Sequence, residues 1–139
     1  MYFLFSFTAS YFFALIYDAP KKLFFSAGLA GALGYLVNFI LSTTFQMDSI
    51  YTSLLGSLTL GLISHMMSRI LKSPVVIFMI PGIIPLVPGS LAFRATQQLV
   101  TLNFSEANNT LIRTILIAGS IALGLLISDQ LSKILNIKK

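Results

Sequence analysis

The chain has 139 residues, 56% apolar and only 9% charged, with a mean hydropathy of +0.90; too few polar side chains remain to coat a water-facing globule, so composition calls for a bilayer as solvent. Nine Lys and Arg oppose four Asp and Glu, a formal charge of +5, and because the basic residues cluster between apolar runs they read as membrane orientation signals, with no nucleic-acid partner implied. Cysteine is absent, which excludes disulfides, thiolate nucleophiles and cysteine metal sites.

A membrane helix needs about 20 predominantly apolar residues. Cutting the sequence at its charges predicts an all-α integral membrane protein, a single transmembrane domain over 1–139 with about five transmembrane helices at about 1–17, 23–45, 50–70, 74–93 and 111–131. The first run is followed by Lys21 and Lys22, whereas a signal peptide carries its positive charge before the apolar stretch. It is therefore read as a span. The second run holds Ala27, Gly28, Ala30, Gly31, Ala32 and Gly34, overlapping small-xxx-small pairs that let helix backbones approach.

In the third run Ser53, Ser57, Gly61, Ser64 and Ser68 recur at helical spacing and share one face. Ser53, Ser57 and Ser64 are candidates for a polar pathway; hydrogen bonds to neighbouring helices or to carbonyls one turn back are the alternative. His65 is the single histidine, which makes no metal site, and its place near the end of the run reads as interfacial.

The fourth run contains IPGIIPLVPGS, with Pro81, Pro85 and Pro88, and with Gly82 and Gly89 each following a proline. A proline inside a helix removes one backbone donor and crowds the carbonyl four residues earlier. Three of them within eight residues predict a helix broken by a PGxxPxxPG motif. Backbone groups freed by the break cannot face lipid, so the segment belongs inside the bundle or beside a wet cavity. Secondary transporters place substrates at such interruptions. A re-entrant segment over 75–93 is the rival reading, and it would flip the last helix against the charge rule.

Residues 94–110 are too polar to span and read as an outer loop or short interfacial helix. The fifth span borrows residues from Leu111 to Leu131, with Arg113 snorkelling to headgroups; Ser120, Gly124 and Ser128 repeat the small-residue spacing, and Asp129 stands one turn before Lys133, placed for a local ion pair. Alternating the five spans collects Lys21, Lys22, Arg69, Lys72, Lys133, Lys138 and Lys139 on one side and Arg94 and Arg113 on the other. Because cytoplasmic loops retain Lys and Arg, the N-terminus is expected outside and the C-terminus in the cytoplasm, in a multi-pass cell-membrane protein. No acidic pair is placed for acid/base catalysis and no Gly-Lys loop for a nucleotide, so neither an enzyme nor a cofactor is expected.

The string IPGIIPLVPGSLAFR, after a Lys-Ser-Pro turn, resembles the signature of the threonine/serine exporter (ThrE-type) membrane domain, and the chain's length resembles its short, separately encoded YjjB-like half. The DAPKK turn and the Gly/Ala-rich second run extend the likeness along the chain. The resemblance implies one membrane subunit of a two-component, proton-driven exporter of small carboxylate metabolites: threonine and serine, or a dicarboxylate such as succinate. It implies a larger partner membrane subunit bearing a soluble hydrolase-like domain, with an oligomer of this chain as the alternative. By motif match it carries Pro81, Gly82, Pro85, Pro88 and Gly89 over as substrate-binding positions, with Arg94 added either to read a substrate carboxylate at the outer mouth or to snorkel to outer headgroups. A non-transporting structural or assembly subunit is the competing function.

Overall fold

The structure is a computed structural model that describes residues 2–137; the expected basic residues Lys138 and Lys139 lie outside the described residues. Among the described residues six helices form, α1 (Tyr2–Ile16), α2 (Phe24–Thr44), α3 (Ser49–Leu71), α4 (Val76–Ile83), α5 (Gly89–Val100) and α6 (Phe104–Ile137), with 3₁₀ turns at Lys21–Leu23 and Ile84–Leu86. Among the described residues there is no strand, and the fold is all-α.

Local chemistry sets the helix ends. Asp48 caps α3 by accepting the Ile50 N–H at 3.1 Å, which satisfies one of the free donors of a helix start. Four helices end on non-glycine residues at positive φ: Asp18 (52°), Gln46 (49°), Lys72 (48°) and Leu102 (59°). After Asp18, Lys72 and Leu102 the next N–H reaches back five residues, as in Ala19 N–H to Ala14 O (3.1 Å) and Asn103 N–H to Gln98 O (2.9 Å). This closure satisfies the last carbonyls and reverses the chain in few residues.

The helices pack along small-residue seams, with α1 and α2 antiparallel, α2 and α3 antiparallel, and α3 and α6 parallel. Main chains of α2 and α3 approach at Gly34 and Gly56, where a Cβ on Gly56 would lie 3.0 Å from the Gly34 carbonyl. On the far side of α3, α6 packs through Gly124 against Ser57 and through Ser128 against Gly61. Helix α4 lies against α1, α2 and α3, and α5 folds back along α6. Leu60 and Phe78, both fully buried, anchor the core where these elements meet, with Ala27, Ala30 and Leu86 around them.

Large apolar side chains such as Phe5, Phe12, Phe25, Leu116 and Leu123 cover the outside, which suits lipid and not water. Three helical segments, Lys21–Thr44, Ser49–Leu71 and Phe104–Leu135, are long and apolar enough to cross a membrane, and the bent pair α4–α5 makes a fourth if it is one span. The first expected span is a helix of 15 residues, about 22 Å, shorter than the about 30 Å hydrocarbon core.

Residues 94–110 form almost no loop. Residues 94–100 continue α5, 104–110 open α6, and only Thr101–Asn103 connect them. Their polarity is that of an amphipathic helix: α5 buries Ala95, half-buries Leu91 and Gln98, and exposes Arg94, Thr96 and Gln97. At 34 residues, α6 is about 50 Å long and overshoots the bilayer core.

Contacts also order the two ends of the bundle. At one end the Tyr2 ring stacks on Phe39 at 4.5 Å, and Arg113 lies 3.6 Å from Asp48. At the other, Arg69 donates to the Ser132 carbonyl at 2.9 Å, and the α1–α2 connection carries Lys21 and Lys22.

Candidate functional site

Helix α4 loses its regular backbone in three steps. Pro81, inside α4, brings no N–H for the Ile77 carbonyl. Pro85 sits within the 3₁₀ turn, whose end is closed by Val87 N–H to Ile83 O at 3.2 Å. Pro88 (φ −77°, ψ 55°) then centres an inverse γ-turn, in which Gly89 N–H donates to Val87 O at 2.8 Å. Beyond it α5 departs at 51°.

The six positions singled out by motif do not share one environment. Pro81 and Gly82 are buried, Pro85 and Pro88 half-buried, and Gly89 and Arg94 exposed. Gly82 meets Leu60 and the α2 backbone at Gly31; a Cβ on Gly31 would come within 2.9 Å of the Gly82 Cα and would collide with Ser10. The Ser10 hydroxyl is itself buried without a hydrogen-bond partner among the described residues. Space at Gly89 is open, with nothing within 4 Å of where its Cβ would stand.

Two hollows flank the break along α1. One, of about 140 Å³, is lined by Tyr17, Ile77, Ile80 and Pro81. The other, of about 220 Å³, is lined by Phe5, Ser6, Tyr35 and Pro85. Both fall below the about 300 Å³ at which small-molecule sites begin, so the break is packed shut in this conformation.

The serine stripe of α3 is buried at Ser53, Ser57 and Ser64. Ser57 turns its hydroxyl to the Leu54 carbonyl at 2.9 Å, beside Gly124 of α6. The Ser64 hydroxyl has no partner among the described residues.

One residue after Ser64, His65 Nε2 lies 3.5 Å from Asp129 Oδ1, and Lys133 Nζ holds the other carboxylate oxygen at 2.6 Å. His65 and Asp129 border an apolar cleft of about 540 Å³ between α3, α4 and α6, which Val75, Val76 and Met79 also line. The Asp129–Lys133 contact follows from their spacing along one helix. The His65–Asp129 contact crosses 64 residues of sequence, and no local pattern announces it.

Arg94 is separate from the buried part of the motif. It lines a cleft of about 230 Å³ between α5 and α6 together with Leu91, Asn109, Thr110 and Arg113. Sequence reading took 94–110 as an outer loop or a short interfacial helix and did not single out Asn109 and Thr110; as positions of α6, 109, 110 and 113 share one face.

A family model described as Threonine/Serine exporter, ThrE, matches residues 2–131. No solved structure matches the chain.

Proposed function

The chain belongs to the threonine/serine exporter (ThrE) family and is a multi-pass membrane protein, and from that premise we propose that it is the membrane subunit of a two-component, proton-coupled secondary exporter of small carboxylate metabolites. The observation that carries this reading is the main-chain break from Pro81 to Gly89, set against α1, α2 and α3. A break frees carbonyls and N–H groups that a regular helix would consume, and inside a bundle they are available only to protein or to a ligand. The ligand class is threonine and serine or a succinate-like dicarboxylate. Its charged ends would meet backbone dipoles at the break and Arg94 beyond it.

The closed packing supports a partner. With hollows of about 140 and 220 Å³ beside it, the break itself opens onto no ligand-sized chamber, so a larger membrane subunit with a soluble hydrolase-like domain, or a second copy, would complete or open one there. Charge placement supports the orientation: Lys21, Lys22, Arg69, Lys72 and Lys133 favour a cytoplasmic face at that end, with the N-terminus outside. The same closed packing favours a second reading, a bracing subunit that assembles the exporter without touching substrate.

Gly89→Leu and Pro85→Ala separate the two readings. The side chain added at position 89 enters open space, so folding and assembly should survive, while efflux of threonine, serine or succinate from cells should fall about tenfold, equivalent to ~1.4 kcal/mol in the transport barrier. Unchanged efflux in both variants, with the complex intact by co-purification, would leave only the bracing role.

A further inference from the structure

Among the described residues, the cleft between α5 and α6 has no carboxylate residue in its lining, yet Arg94, Arg113 and Asn109, two guanidinium side chains and an amide, are three of its five lining residues. From this we propose that the cleft is an anion site, selective for a carboxylate or phosphate group that two guanidinium forks can grip. Each guanidinium offers five N–H donors in a planar fork matched to such anions.

The competing acceptors nearby are already committed. No acidic group lies within ion-pair distance of Arg94 among the described residues. Asp48 reaches Arg113 only at 3.6 Å, while its other oxygen caps α3 through the Ile50 N–H at 3.1 Å. Glu106, one turn before Thr110 on α6, accepts from the Gln98 amide at 3.3 Å and does not line the cleft. The Thr110 hydroxyl donates to the Glu106 carbonyl at 2.9 Å, which leaves the Asn109 amide as the neutral donor.

Place in the fold narrows the ligand to two sources. Arg94 lies five residues beyond Gly89 on α5, about 7.5 Å along the helix axis. The cleft is therefore within reach of a small carboxylate leaving the break. It also lies in the first third of α6, a helix about 50 Å long, and a helix of that length centred on a core of about 30 Å would bring this end to the depth of phospholipid phosphates. In either case Asp48 acts as the resident counter-ion, which the incoming anion displaces from Arg113.

The test uses the full-length protein purified in a nonionic detergent. In one arm succinate and L-threonine are titrated at constant ionic strength, and binding is read from the shift in the thermal midpoint. In the other, retention of phosphatidylglycerol against phosphatidylcholine is measured by native mass spectrometry. Arg94→Gln and Arg113→Gln should each weaken binding about tenfold, the scale of one lost charge-assisted hydrogen bond. Asp48→Asn keeps a good helix cap and frees Arg113, so it should tighten binding several-fold.

Response of the soluble acids to all three substitutions assigns the site to a carboxylate, and response of phosphatidylglycerol assigns it to a lipid phosphate. If neither ligand responds to Arg94→Gln, Arg113→Gln or Asp48→Asn, the anion site is refuted. That outcome would leave the exporter reading standing, since its own test runs through Pro85 and Gly89.

Discussion

Between Gly31 and Gly82 there is no side chain at all, and the α2 and α4 backbones touch. A methyl group on Gly31 has backbone on one side and Ser10 on the other, and backbone yields less readily than the end of a flexible side chain. Gly31→Ala should therefore destabilise the fold by about 1–3 kcal/mol, the usual cost of overpacking. Gly119 on α6 faces open space, so Gly119→Ala should be neutral or stabilise by up to about 1 kcal/mol through helix propensity. Reversible unfolding in mixed micelles distinguishes the two, and equal effects would contradict the packing described. The Pro-Gly string was legible from the sequence because proline chemistry is local. The partner of Gly82 was not, since spacing marks Gly31 as a packing residue without saying which helix it meets. Nothing in the pattern of α3 marked Leu60, whose side chain closes over Gly82.

At the scale of elements, the apolar runs yielded helices because hydrophobic length and charged boundaries are one-dimensional signals. Polarity left 94–110 open between an outer loop and a short interfacial helix: a helix lying along another needs only one apolar face, and α5 supplies it with Leu91 and Ala95. Tertiary contact then gives the α3–α6 pair a property neither helix has alone. His65 faces Asp129, with Lys133 and Arg69 as the neighbouring charges on these two helices, and the cleft-lining residues Val75, Val76 and Met79 add none. Histidine is the side chain whose ordinary chemistry exchanges a proton between about pH 5 and 8, and an ionisable pair within a span is a relay candidate. In the exporter reading, His65→Gln should leave efflux measurable but unresponsive to an imposed pH gradient. Efflux from proteoliposomes decides this, and an unchanged response would remove His65 from coupling.

For the whole molecule, composition alone announced an inside-out protein, with small residues in the seams and phenylalanine and leucine on the exterior. Why the span count was less legible is a matter of length: α1 has 15 residues, and the α4–α5 pair crosses only if its two bent halves are taken together. Which end of the bundle collects the basic residues follows once helices alternate, because charge needs no tertiary knowledge. What no one-dimensional signal contained was the position of α4, lying over α1, α2 and α3 and not beside the helix that follows it.

That position has a consequence for synthesis. Helices α1, α2 and α3 all leave the ribosome before α4, so the trough is assembled first and its filler arrives afterwards. Until then Gly31, Ser10 and Leu60, which meet one another or α4 in the finished fold, line an unfilled slot. Cutting the gene between Lys72 and Ser73, at the left-handed turn that ends α3, should therefore give two fragments that find each other when co-expressed. Co-purification of 1–72 with 73–139 checks this, and Gly31→Leu in the first fragment should abolish it. A pair that copurifies equally well with the slot blocked would mean that the α3–α6 seam alone joins the halves and that the trough is not the template for α4.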